Sequence, residues 1–254
     1  MNICVCSHRS FEKVRCKDTK KFATFQTFSY FCGMKRLLEV CTGSLASVEA
    51  AAEGGAARIE LCAALPLDGL TPSLGLLEYV RRRYPQLKIH VLIRPREGDF
   101  VYTPSELQTM LADMELALPW ADGFVSGALT AQGDVDIVAT ELLVRAAKGK
   151  PFTFHRAFDR CRQPLVALEQ IIALGCTRLL TSGQQPTAQQ GIPLLRRLCD
   201  LADGRLIIMP GGGVNTQNAR LILDQTGTTE IHGSCSLAGA VTSAEEVRSL
   251  LNTI

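Results

Sequence analysis

Four short segments of this chain carry residue types that do chemistry. Glu39 and Cys41 stand two apart in Leu38-Glu-Val-Cys41, and Glu60 and Cys62 repeat that spacing in Arg58-Ile-Glu-Leu-Cys62. His155, Arg156 and Asp159 follow an aromatic alternation, Phe152-Thr-Phe-His155, and Glu230 and His232 complete the set. Carboxylates and imidazoles in such a group can take up and return protons. Arg94, Arg96 and Arg156 add guanidinium forks that match a carboxylate or phosphate. Two glycine-bearing loops suit the same anion: Gly211-Gly212-Gly213 ahead of Asn215, and Ser182-Gly183. Glycine lets backbone N–H groups come close, and a helix starting at Asn215 would add its positive end. The same residues also fit plainer roles. Three glycines serve any tight turn, and paired internal charges serve as an ionic core that fixes strand register.

A spacing of two is the period of a β-strand. Leu38 and Val40 share one apolar face, which leaves Glu39 and Cys41 on the other. Ile59 and Leu61 likewise leave Arg58, Glu60 and Cys62. The same logic groups His90 with Arg94, Thr153 with His155, and Glu230 with His232. Strands are predicted at Leu37–Cys41, Arg58–Cys62, Lys88–Arg94, Gly123–Ser126, Phe152–His155, Thr177–Thr181, Arg205–Met209 and Thr229–His232. Helices alternate with them. Ser44–Glu53 ends at Gly54-Gly55, Thr71-Pro72-Ser73 opens the next, and Thr103-Pro104-Ser105-Glu106 is a capping box. Further helices are predicted near Val135–Ala147, from Pro164, over Thr187–Leu201 and Asn215–Asp224, and from Ser243.

Eight strand–helix units predict an α/β fold, a single-domain (β/α)8 TIM-type barrel. An open doubly wound sheet fits less well, since no G-x-G-x-x-G opens a helix after the first strand. In a barrel one strand face meets the helices and the other fills the interior. Glu39, Glu60 and Glu230 should then pair with Arg58 and Arg94, because a buried unpaired charge costs several kcal/mol. Cys41, Cys62, Arg94, His155 and His232 would sit at the C-terminal strand ends, where barrel sites lie.

Composition narrows the class. The chain has 254 residues, 46% hydrophobic and 20% charged, with a net charge of +2. That is an ordinary globular balance without a basic, aromatic-laced block, which argues against nucleic acid. No apolar run reaches the ~18 residues of a membrane span. The ten cysteines are scattered and form no C-x-x-C pair, which suits free thiols in a reducing cytosol. Residues 1–33 differ from the rest: six Lys/Arg against two acids, four cysteines and no apolar signal core. Cys4-x-Cys6-x-His8 lacks a second ligand pair at zinc-site spacing. The expectation is an atypical extension over 1–33, disordered or outside the native protein, and a barrel domain over 34–254 beginning at Met34.

Together these segments resemble the CutC copper-homeostasis family. The matching stretches are Leu38-Glu-Val-Cys41, Arg58-Ile-Glu-Leu-Cys62, Gly69-Leu-Thr-Pro-Ser73, Ile93-Arg-Pro-Arg96 with Gly98-Asp-Phe100 and Tyr102, Thr153-Phe-His-Arg-Ala-Phe-Asp159, Leu180-Thr-Ser-Gly183, Met209-Pro-Gly-Gly-Gly213 and Glu230-Ile-His232. The resemblance implies a cytoplasmic β/α barrel tied to copper tolerance or trafficking, with Cys41 and Cys62 as candidate Cu(I) ligands. Thiolates are soft and suit Cu(I). The two cysteines would occupy equivalent positions on adjacent strands, about 5 Å apart, with His155 or His232 nearby. Glu39 and Glu60 are hard donors that would raise the thiol pKa. After Ser236 the family carries a longer basic and aromatic loop, whereas Leu237–Ser243 is short here, which puts ligand contacts at the mouth in doubt.

The alternative is an enzyme acting on a small anionic or phosphorylated metabolite. Arg94, Arg96, Arg156 and Gly211–Gly213 would hold the anion, and Glu39, Glu60, His155 or His232 would move a proton. A carrier needs only the cysteines, whereas an enzyme needs the Glu–Arg–His set. A homo-oligomer is compatible with either reading.

Overall fold

The computed structural model describes residues 36–236 and 241–254. The readings made for residues 1–33, and much of the short loop after Ser236, lie outside the described residues.

Eight parallel strands form the barrel: β1 Leu37–Thr42, β2 Arg58–Leu61, β3 Lys88–Leu92, β4 Gly123–Ser126, β5 Phe152–Phe154, β6 Arg178–Thr181, β7 Ile207–Pro210 and β8 Glu230–Gly233. They run in the order β7-β6-β5-β4-β3-β2-β1-β8, and a parallel bridge from Gly211 to His232 joins the ends. The helices α1 Leu45–Glu53, α2 Leu74–Arg83, α3 Pro104–Ala117, α4 Ile137–Ala146, α5 Pro164–Ala173, α6 Ile192–Ala202, α7 Ala219–Thr226 and α8 Ala244–Thr253 alternate with them. Each crossover is long enough to return the chain parallel, as a βα unit requires.

The outer strand faces supply the main core. Leu38, Val40, Ile59, Leu61, Phe152 and Phe154 are buried there against Val48, Leu77, Leu143 and Leu168 of the helices. Start signals of the expected kind fix several helices. Thr103 accepts from the Glu106 N–H while the Glu106 carboxylate accepts from the Thr103 N–H, with Pro104 at the first position. Ser44 and Ser243 cap α1 and α8.

Three expected starts shift. Ser73 is the cap of α2, so Pro72 lies ahead of the helix rather than in its first turn. Thr187 does not open α6; its hydroxyl accepts from the Gln190 N–H in a separate turn, and the helix begins at Ile192 after Gly191. Asn215 also belongs to a turn, with its side chain accepting from the Gln217 N–H, and α7 starts at Ala219. Ser, Thr and Asn make the same short-range bond in turns as at caps. The α7 start is therefore four residues beyond Asn215, and the helix end expected beside the glycine loop is displaced along the chain.

Candidate functional site

The inner strand faces carry the polar set, as the alternation requires. Glu39 of β1 is fully buried, with 0% exposure. Arg58 Nε lies 2.6 Å from its Oε2, His90 Nδ1 lies 3.1 Å from the same oxygen, and His232 Nδ1 lies 3.0 Å from Oε1. A glycine makes room for one of these rings: a Cβ at Gly123 would stand 2.7 Å from the His90 ring. Burial opposes the Glu39 charge. The His232 hydrogen bond, the close His90 imidazole and the charge of Arg58 outweigh it and hold the carboxyl well below the usual range.

Below Glu39, Arg58 also pairs with Glu230. Glu230 takes a second guanidinium, Arg178, at 2.7 and 3.0 Å. Arg178 was not among the expected site residues. The alternation of β6 could have found it, because Leu179 packs in the outer core and Leu180 lines the inner cavity. Arg94, expected to pair with an internal carboxylate, does not. It donates to the Leu67, Gly69 and Gly98 carbonyls at 2.9, 3.0 and 3.1 Å and lies over the Phe100 ring. The loop after β2 brings the first two carbonyls and the loop after β3 the third, so the guanidinium is satisfied without an acid.

Above Glu39, Glu60 is buried beside Cys41 and His232. Cys41 Sγ lies 3.1 Å from Glu60 Oε2, and His232 Nε2 lies 3.6 Å from the same oxygen. Cys41, Glu60 and His232 offer ligand atoms that all lie within 4.8 Å of one another. Burial lifts the Glu60 carboxyl above its ordinary value, and the charge of His232 only partly offsets it. For His232, burial is outweighed by the Glu39 hydrogen bond and both carboxylates, which raise the imidazole.

The two cysteines meet, though not as equivalent rungs. The register places Cys41 opposite Glu60, which leaves Cys62 beyond the end of β2. Barrel closure staggers neighbouring strands, and that stagger offsets the two Leu-Glu-Val-Cys and Ile-Glu-Leu-Cys segments by two residues. The sulfurs are nevertheless 3.9 Å apart. The hydrogen bond with Cys62, burial and the neighbouring Glu60 push the Cys41 thiol well above its ordinary value.

These groups line one cavity of about 420 Å³ at the C-terminal end of the barrel. Its lining also carries Arg94, His155, Arg156, Gly212 and Gly213. The remaining loop donors are engaged inside the protein. The Ser182 N–H and hydroxyl donate to Asp159, and the Gly183 N–H donates to the Thr181 hydroxyl at 2.9 Å. Arg96 stands apart from the cavity lining, held by Glu106 at 2.5 Å and Asp99 at 3.0 Å. Gly211 closes the barrel against His232.

Two outcomes follow from this geometry. Arg58→Met leaves Glu39 and Glu230 short of a buried counter-charge and should lower unfolding free energy by about 3–5 kcal/mol, measured by urea denaturation at neutral pH. The second concerns His155, whose imidazole is pushed down to about 3 by burial and the Arg94 charge. Below its unfolded pKa of about 6.5 the unfolded chain binds a proton that the folded chain refuses. The His155 contribution is therefore fully present above that value and declines as pH falls towards 3, at about 1.4 kcal/mol per pH unit. His155→Phe should flatten the fall in stability between pH 6 and 4 by that slope; an unchanged slope contradicts the assignment.

Comparison with known proteins follows the same residues. The CutC family model matches residues 36–237. A Bacteroides thetaiotaomicron family protein CutC is 51% identical over 201 residues, covering 79% of this chain and 81% of the relative. The human copper homeostasis protein cutC homolog is 46% identical over 199 residues, 78% of this chain and 72% of the relative. The crystal structure of a Streptococcus agalactiae protein described as copper homeostasis protein CutC superposes with a TM-score of 0.75 at 33% identity, covering 78% of this chain and 98% of that one. With a match that spans every barrel strand, the chain belongs to the CutC family.

Proposed function

We propose that this chain serves copper homeostasis by binding Cu(I) directly through Cys41 and Cys62. The observation that carries this reading is the 3.9 Å approach of the two sulfurs at the wall of an open cavity. Soft thiolates select Cu(I) over hard cations, and the imidazole of His232 is the next softest group in reach. Glu60, a hard donor, contributes charge rather than a bond to a soft ion. The residues therefore fit the ion, with Cys41 and Cys62 as its holders.

Binding has a proton cost. The Cys41 thiol is held protonated by Cys62, burial and Glu60, so the incoming ion must displace that proton. Affinity should accordingly rise with pH. The six cysteines of the described residues are free thiols, which supports a reducing cytosol as the setting. No helix among the described residues is long and apolar enough to cross a membrane. The family match from residue 36 supports treating 34–254 as the unit that carries the site.

The test is anaerobic Cu(I) titration of the full chain against a chromophoric chelator, beside Cys41→Ser/Cys62→Ser, with Zn(II) in parallel. One tight equivalent, weakened at least about 100-fold in the double variant and tighter at pH 8 than at pH 6, is the expected outcome. Equal Cu(I) binding by both proteins, or a clear preference for Zn(II), would contradict the thiol-pair site.

A further inference from the structure

Two buried side chains of the mouth cavity are not used by the thiol pair. His155 and Arg94 both line the cavity and are 5% and 3% exposed. His155 Nδ1 accepts from the Ala157 N–H at 3.3 Å. A ring nitrogen that accepts carries no hydrogen, so the neutral ring holds its proton on Nε2. That Nε2–H has no partner among the described residues. Arg94 is in the same position at one atom. Its terminal nitrogens are held by three carbonyls, while its Nε–H is unpartnered. Phe100 links the two groups, with its ring 4.9 Å from the His155 ring and under the Arg94 guanidinium.

Two buried donors without acceptors, on side chains that line one cavity, are costly to leave unmet. Neither can be relieved by another donor. Both are relieved by oxygen lone pairs. The rim adds charge of the matching sign. Arg156 and Arg160 border the cavity. Arg156 is fixed by Asp159 at 2.9 Å and Ser182 at 3.1 Å, and its guanidinium rests over Gly212, where a Cβ would come within 3.5 Å of it. Gly212 has φ +104, a conformation that suits glycine alone, so the close approach and the backbone shape agree. Three acids, Glu60, Asp68 and Asp159, line the cavity too, and Asp159 is already paired with Arg156. Arg94 and Arg160 have no carboxylate partner among the described residues, which favours an anion seated towards them. A volume of about 420 Å³ lies in the range of small-metabolite pockets.

We propose that this part of the cavity binds a small metabolite through a carboxylate or phosphate group, which accepts from His155 Nε2–H and Arg94 Nε–H while Arg160, beside the Arg156–Asp159 pair, balances its charge. The site is separate in its ligands from the thiol pair and shares only the cavity.

Isothermal titration of the full chain, freed of copper by a Cu(I) chelator, tests this with inorganic phosphate and with pyruvate as probes. Saturable binding of at least one probe is expected, retained in Cys41→Ser/Cys62→Ser, weakened at least 10-fold in His155→Phe and several-fold in the exposed-site variant Arg160→Ala. Phosphate alone binding assigns a phosphorylated ligand; pyruvate alone assigns a carboxylate. If His155→Phe fails to fold, as read by its melting curve, Arg160→Ala and the fall of affinity with added salt decide. Absence of saturable binding for both probes, or wild-type affinity in the folded variants, would overturn the proposal.

Discussion

A carboxylate with no exposure at the centre of a barrel dictates the arrangement of its neighbours. Glu39 stays charged only because Arg58, His90 and His232 surround it. Each of those partners is thereby fixed in direction. Arg58 is drawn down towards Glu230, which in turn recruits Arg178. His232 donates its Nδ1 proton to Glu39 and must present Nε2 upwards, where it meets Glu60. Glu60 stands beside Cys41, and Cys41 beside Cys62. The chain of contacts runs from the barrel floor to the mouth without a break. Replacing such a network with apolar residues can be neutral for stability, so its retention points to positioning.

The mouth is divided chemically. One side gathers thiols, a carboxylate and a charged-leaning imidazole. The rest of the lining carries Arg94, Arg160, Arg156 with its partner Asp159, and a neutral imidazole whose pKa is depressed to about 3. Two histidines of one cavity are thus driven in opposite directions by their surroundings. His232 faces two carboxylates, whereas His155 is buried beside Arg94. Such divergence is a mark of functional sites, although ionic cores produce it as well.

Much of this was legible from residue order, because the period of two is local. Leu38 and Val40 outward implies Glu39 and Cys41 inward, and the same holds for β2, β5 and β8. The capping box at Thr103 is local for the same reason. What escaped was set by tertiary geometry. Strand stagger decides that Cys41 faces Glu60 rather than Cys62, and no single strand encodes that offset. Arg94 finds carbonyls because a loop from another unit, Leu67–Gly69, passes over it. The starts of α6 and α7 were misplaced because Thr187 and Asn215 make cap-like bonds inside turns. Arg178 is the first residue of β6, at the floor of the barrel, away from the C-terminal strand ends where barrel sites lie.

The central claim is that the ionic ladder delivers a pair of sulfurs to one metal ion. Copper K-edge X-ray absorption on the full chain, loaded anaerobically with one equivalent of Cu(I), examines that ion's immediate neighbours. The expected result is a low-coordinate Cu(I) whose first shell contains two sulfur atoms. A first shell made only of nitrogen and oxygen, with no sulfur, would contradict it.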